Sequence, residues 1–282
     1  MSNRDALLIT AEQLMAELAG NRPPAILDVR WRLDQPDGRP AHLAGHLPGA
    51  VYVSLDDDLS DHSRPGLGRH PLPTGAALQA AARRWGVRSG QPIVVYDDWN
   101  RAGSARAWWV LSAAGIPGVR ILDGGLAAWT TAGGALQSGP VHAPEGDVTV
   151  TYDDLYAGGR PVLTADQLSA GVASTVLDAR APDRYRGEVE PVDPVAGHVP
   201  GARNLPSPSL LDADGRFRPD AELAALAQES GAAGSAGVYC GSGVTASVVL
   251  AALSAVGIDA ALFPGSWSQW SGEGRPTAQG PS

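Results

Sequence analysis

The sequence predicts two tandem α/β domains, each a mainly parallel sheet flanked by helices. Three observations lead there: the length, an internal match between the two halves, and an alternation of short apolar runs with helix-like stretches. A chain of 282 residues is long for one ordinary domain and comfortable for two, each burying its own core. The halves match at a period of about 150 residues, far too long for a solenoid repeat and suited to a duplicated domain.

The matched segments run in the same order in both halves. Thr10-Ala11-Glu12-Gln13-Leu14 sets a threonine three residues before a glutamine, the capping-box pattern that opens a helix, and Thr164-Ala165-Asp166-Gln167-Leu168 repeats it. Ile26-Leu27-Asp28-Val29-Arg30 recurs as Val176-Leu177-Asp178-Ala179-Arg180. The turn-rich Ala44-Gly45-His46-Leu47-Pro48-Gly49-Ala50 recurs as Ala196-Gly197-His198-Val199-Pro200-Gly201-Ala202. Val94-Val95-Tyr96-Asp97 answers Gly237-Val238-Tyr239-Cys240, and Asp123 to Trp129 answers Pro264 to Trp270.

Strands are expected at Ala25 to Val29, Ile93 to Tyr96 and Val119 to Leu122, then at Thr175 to Leu177, Gly237 to Tyr239 and Ala260 to Phe263. The domains are expected over 8–134 and 162–278. Segment 135–161, rich in glycine and proline with only a short Val148-Thr149-Val150 run, is expected as the linker.

No apolar run approaches the ~18 residues of a membrane span, so no membrane partner is expected. Thirty acidic and 21 basic residues give a formal charge of −9, with no basic cluster, which argues against nucleic acid. The N-terminal residues lack the pattern of a secretory signal, and a lone cysteine has no intramolecular disulfide partner; both point to the cytoplasm.

That lone cysteine, Cys240, stands where a strand gives way to a helix, within Val238-Tyr239-Cys240-Gly241-Ser242-Gly243-Val244-Thr245-Ala246-Ser247. In parallel α/β sheets functional groups gather at the carboxyl ends of the strands. A short loop of small residues that opens a helix points successive N–H groups at one centre, where the helix dipole adds positive charge. A free thiol titrates near ~8.5, and such surroundings favour the nucleophilic thiolate. Gly241 and Gly243 allow close backbone approach, and Ser242 and Thr245 supply hydroxyl donors. A buried, inert cysteine is the plainer alternative.

Rival chemistries fit less well. Gly241 to Ala246 matches G-x-G-x-x-A, yet the dinucleotide fingerprint belongs after the first strand of its domain, not a late one. Cysteine-dependent phosphatases need an arginine six residues after the cysteine, and Ala246 stands there. Zinc needs several Cys or His ligands at close spacing.

The paired G-H-x-P-G-A segments, the D-x-R after each early strand, the C-G-S-G-V-T-A loop and the closing P-G-S-W-S-Q-W together resemble the rhodanese superfamily. Within it the chain resembles the two-domain thiosulfate and 3-mercaptopyruvate sulfurtransferases, over roughly residues 8 to 275. The resemblance implies two rhodanese-like domains, an inactive first one with Asp97 at the cysteine position and a catalytic second one. It implies sulfur transfer through a Cys240 persulfide with no metal or organic cofactor. A small-molecule donor supplies the sulfur, and cyanide, a thiol or a thioredoxin-like protein accepts it.

It further assigns donor binding to Arg184 and to the loop residues Gly241, Gly243, Val244 and Thr245, and a proton relay to Ser242, His70 and an aspartate, Asp57 or else Asp58. The loop favours 3-mercaptopyruvate as donor, whereas Val192 stands where that branch carries a second arginine; Arg180, Arg186 and Arg203 are the replacements within sequence reach. A persulfide carrier or redox-sensing binding module is the competing class. His46 and His198 recur in both halves and are expected to be structural hydrogen-bonding residues, Asp28 and Asp178 to cap turns, and Trp129 and Trp270 to pack cores. Asp56-Asp57-Asp58 reads as a solvated loop rather than a metal site.

Overall fold

The computed structural model describes residues 2–232 and 235–281. The chain divides into two compact units. The first comprises Met1–Asp61, Leu72–Arg160 and Asp212–Phe217, and the second His62–Pro71, Pro161–Leu211 and Arg218–Ser282.

In the first unit, β1 (Leu8–Ile9), β2 (Ala25–Asp28), β3 (Val51–Tyr52), β4 (Ile93–Tyr96) and β5 (Val119–Leu122) form one parallel sheet in the order β1-β5-β4-β2-β3. In the second, β6 (Thr175–Asp178), β7 (Arg203–Asn204), β8 (Ala236–Tyr239) and β9 (Ala260–Leu262) form another in the order β7-β6-β8-β9. A parallel bridge between Val162 and Leu262 stands where the first sheet has its β1 edge. All six expected strands form, each to within a residue or so at its ends. The central strands β4 and β8 are buried along their whole length, which is why they read as continuous apolar runs rather than alternating ones.

Both capping boxes are present. The Thr10 hydroxyl accepts the Gln13 amide while the Gln13 side chain accepts the Thr10 amide, and Thr164 and Gln167 do the same. The two helices that follow the central strands, Ala102–Ala113 and Ala246–Ala255, are buried almost all round. Trp129 lies in the first core, and Trp270 and Trp267 in the second.

Beneath each sheet end is a buried polar knot. Asp178 pairs with Arg180 at 2.6 Å, and the Arg180 guanidinium also reaches the Gly197 carbonyl at 2.6 Å and lies 4.6 Å from the Trp267 ring. Burial, then the Asp178 carboxylate, raises the Tyr239 phenol well above its ordinary range. Asp28 holds Arg30, His42 and the Tyr96 hydroxyl in the first unit. These aspartates therefore neutralise buried guanidinium groups rather than only capping turns. His46 and His198 direct Nδ1 at the carbonyls of His42 and Tyr185, at 2.7 and 2.8 Å, in the structural role expected of them.

Segment 135–161, expected as the linker, is fastened to the first unit as far as Arg160. Gln137 exchanges backbone hydrogen bonds with His46, Val148 donates to Val87, and Thr151 and Gly159 donate to Ala114 and Ala113. Its glycines serve these close approaches: a Cβ at Gly146 would collide with the Val87 carbonyl.

Replacing Asp178 with alanine leaves the Arg180 charge buried without its main partner. The expected cost is about 3–5 kcal/mol, read from the urea midpoint of the second unit; an unmoved midpoint would show that the knot contributes nothing.

Candidate active site

Cys240 lies at the carboxyl end of β8, flanked by β6 and β9, and is 1% exposed. The loop from Gly241 to Thr245 then leads into helix Ala246–Ala255. Gly243 is the turning point. Its φ of +78° is left-handed, and a Cβ there would strike the carbonyl of Pro264, so only glycine fits without displacement. This turn aims the Gly243 N–H at Cys240 Sγ, 3.1 Å away. Among the described residues, the amides of Ser242 and Val244 donate to no protein acceptor.

The loop is clamped from its far side by the turn before helix Ser266–Gly272. Ser266 Oγ accepts the Cys240 amide at 3.1 Å and donates to the Phe263 carbonyl at 2.9 Å. Trp267 and Ser268 donate their amides to the carbonyls of Cys240 and Gly241, at 3.0 and 2.9 Å. Ser266 does this at a φ of +52°, a strained value for a residue with a side chain.

His70 reaches this loop because segment His62–Pro71 belongs to the second unit. Its Nδ1 lies 2.8 Å from Ser242 Oγ, and both residues are buried. Asp57 belongs to the first unit, where its carboxylate accepts the Ser54 hydroxyl at the start of helix Leu55–Asp58. The neighbouring Asp58 pairs with Arg84 at 2.9 Å, and burial raises its carboxyl. The three consecutive aspartates thus open a short helix rather than forming a solvated loop, and no metal-binding cluster occurs among the described residues.

Arg184 lies beside the loop, its guanidinium nitrogens 3.6 and 3.7 Å from where a Gly241 Cβ would stand. It pairs with Glu190 at 2.6 Å. Burial opposes ionisation of Glu190, but the Asp193 amide, the Arg184 guanidinium and the Val192 amide outweigh it and hold the carboxyl below its usual range. Val244 is buried in the core, and the Thr245 hydroxyl makes no capping bond to helix Ala246–Ala255.

Two residues beside the loop escaped the sequence reading. Ser266 aligns with Gly125 of the first half, whose φ is +55°; a glycine answered by a serine at a left-handed position was the available signal. Arg69 sits 3.3 Å from the same Gly241 Cβ position, and nothing local in Gly68-Arg69-His70 pointed to it.

In the first unit the same strand end carries Asp97. β-register places Tyr96 beside Asp28 as it places Tyr239 beside Asp178, so Asp97 and Cys240 occupy equivalent positions. The Asp97 carboxylate accepts the amides of Trp99, Arg101 and Ser104, the Ser104 hydroxyl, and an ion pair from Arg101 at 2.9 Å. One strand-to-helix loop is filled by its own carboxylate, and the other surrounds a thiol.

Such an arrangement defines an α/β protein built around one loop-held thiol. A family model described as "Rhodanese-like domain" matches residues 10–132 and 164–273. The Mycobacterium tuberculosis protein SseB, provisionally named a thiosulfate sulfurtransferase, is 60% identical over 99% of both chains. The 3-mercaptopyruvate sulfurtransferase of Escherichia coli K12 is 36% identical over 81% of both. The crystal structure of SseA from Escherichia coli, described as a 3-mercaptopyruvate sulfotransferase of rhodanese fold, superposes with a TM-score of 0.80 at 31% identity, covering 93% of this chain and 98% of that one. The chain belongs to the rhodanese family and is a sulfurtransferase with two rhodanese-like domains. No helix among the described residues is long and apolar enough to cross a membrane.

Changing Gly243 to alanine imposes both a left-handed φ and a clash with Pro264. The variant is expected to lose more than about 1 kcal/mol of stability and to alkylate at Cys240 more slowly than wild type; equal alkylation rates would show that the turn does not activate the thiol. Ser266→Ala leaves the buried Cys240 amide without its acceptor and is expected to cost about 1–3 kcal/mol by chemical denaturation. A cost near zero would remove Ser266 from the clamp.

Proposed function

We propose that Cys240 carries sulfur from 3-mercaptopyruvate or thiosulfate to an external acceptor as a persulfide, and that the second half is the catalytic domain and the first its inactive duplicate. The observation that carries this reading is the Gly243 N–H on Cys240 Sγ, within a loop whose Ser242 and Val244 amides have no acceptor among the described residues. The amides at the same offsets in the first loop, Trp99 and Arg101, bind the Asp97 carboxylate. Similar amides suit the anionic terminal sulfur of a persulfide.

With 3-mercaptopyruvate, the thiolate attacks the donor's sulfur, an S–S bond forms and the C–S bond breaks. The electron pair leaves on the donor's carbon, which takes the proton that the donor's thiol gives up, releasing pyruvate. Ser242 and His70, hydrogen-bonded at 2.8 Å, are placed to move that proton. With thiosulfate the S–S bond of the donor breaks and sulfite leaves with the electron pair, so no proton is needed. Arg184 holds the donor's anionic group. Cys240 is the only cysteine, so a thiol, cyanide or a thioredoxin-like protein must supply the acceptor. A thiol that stays free suits a reducing compartment, the cytoplasm. The acidic chain, without a basic cluster, makes nucleic acid an unsuitable partner.

Intact mass after incubation with each donor is expected to show one added sulfur atom on wild type and none on Cys240→Ser. A Cys240→Ser protein that still turns over would overturn the mechanism. Steady turnover with cyanide separates the enzyme from a carrier that only loads. Ser242→Ala is expected to lower kcat/KM for 3-mercaptopyruvate about a hundredfold while changing the thiosulfate value far less; equal losses with both donors would exclude a proton-transfer role.

A further inference from the structure

Three arginines within sequence reach were expected to replace the one missing at Val192, and each has another position. Arg180 is held by Asp178 in the buried knot. Arg186 pairs with Glu188, and together with Arg203, Asn204 and Glu229 it lines a separate cavity of about 400 Å³ that does not include the Cys240 loop. Arg69, from the segment preceding His70, does reach the loop.

We infer that Arg69 is the second guanidinium of the donor site, gripping the donor's anionic group together with Arg184. The inference rests on the persulfide reading above and names the residue that selects anionic donors.

Two guanidinium groups converge on one spot. Arg69 Nη2 lies 3.3 Å, and the two terminal nitrogens of Arg184 3.6 and 3.7 Å, from where a Cβ of Gly241, the residue that follows Cys240, would stand. Glycine at 241 is what leaves that spot open, since any side chain there would occupy the space both arginines face.

The position of Arg69 is built into the fold. Its amide donates to Ser268 Oγ at 3.0 Å, and the Ser268 amide donates to the Gly241 carbonyl at 2.9 Å, so one serine ties the arginine and the loop together. Gly68, at φ +86°, presses against Gly265 too closely for a side chain. Asp193 holds the two guanidinium groups side by side, paired to Arg69 through Oδ1 and 3.6 Å from Arg184 through Oδ2. Asp193 takes Nη1 of Arg69, while Nη2, the nitrogen that faces the Gly241 position, makes no hydrogen bond among the described residues. Paired, fork-shaped donors match the oxygens of a carboxylate or a thiosulfate.

The single thiol allows a direct test in the full-length protein. Rates of Cys240 alkylation by anionic iodoacetate and neutral iodoacetamide are followed by intact mass. Arg69→Gln is expected to lower the iodoacetate-to-iodoacetamide rate ratio about tenfold, the loss typical of one charge-assisted hydrogen bond. The iodoacetamide rate itself is expected to stay put, which reports an intact loop. Asp193→Asn, which removes a competing negative charge, is expected to raise the ratio, and Arg69→Lys to recover part of it. The donor KM in Arg69→Gln is expected to rise by a similar factor with kcat retained.

A ratio indifferent to Arg69→Gln, or one that Asp193→Asn lowers in the same way, means that Arg69 only partners Asp193 and overturns the inference. Because the ratio needs no sulfur transfer, a wild type that never acquires sulfur but shows the Arg69-dependent ratio defeats the persulfide reading alone and leaves the anion site standing.

Discussion

The close approach of Gly243 to the Pro264 carbonyl is the constraint on which the site depends. It requires a left-handed backbone without a side chain, and it turns the loop so that the N–H of Gly243 itself faces Cys240 Sγ. The Pro264 side of that contact belongs to the turn whose Ser266, Trp267 and Ser268 hold the Cys240 amide and the Cys240 and Gly241 carbonyls. With its backbone groups pinned from below, the loop has little freedom left. Such a cradle needs little reorganisation when charge develops on sulfur, which is how fixed dipoles stabilise a reacting anion most effectively.

The duplicated half shows the same architecture put to structural use. There the strand end carries a carboxylate that takes the loop amides for itself, and Arg101 folds over it at φ +63°. A side chain at Gly125 would collide with that guanidinium, so the first half keeps glycine where the second has Ser266. The differences form a linked set. Aspartate, arginine and glycine close one loop on itself; cysteine, a small-residue turn and serine leave the other ready for an anion that the chain does not supply.

Much of this was legible in the sequence because it is local. Strands buried on both faces leave apolar runs at fixed places, capping boxes need only residues three apart, and the cysteine's surroundings are consecutive. Arg184 and the Ser242 and His70 pair were reachable through the family resemblance. What was not legible arises where distant segments meet: Arg69 arrives with a segment that joins the second unit, and Ser266 acts across 26 positions. The linker misled for a related reason. Its glycines and prolines resemble a flexible tether, but Gly139, Gly146 and Gly159 donate to backbone carbonyls of Leu43, Arg83 and Ala113, contacts that no short-range pattern records.

The central claim is that the Cys240 loop holds an anionic sulfur with its own amides while the Asp97 loop is already full. Amide nitrogen and proton NMR shifts, recorded before and after exposure to thiosulfate, test it most directly. The account predicts that Ser242, Gly243 and Val244 move downfield in the proton dimension while Trp99, Arg101 and Ser104 stay where they are. Loop amides that keep their shifts in a protein carrying the added sulfur would contradict it.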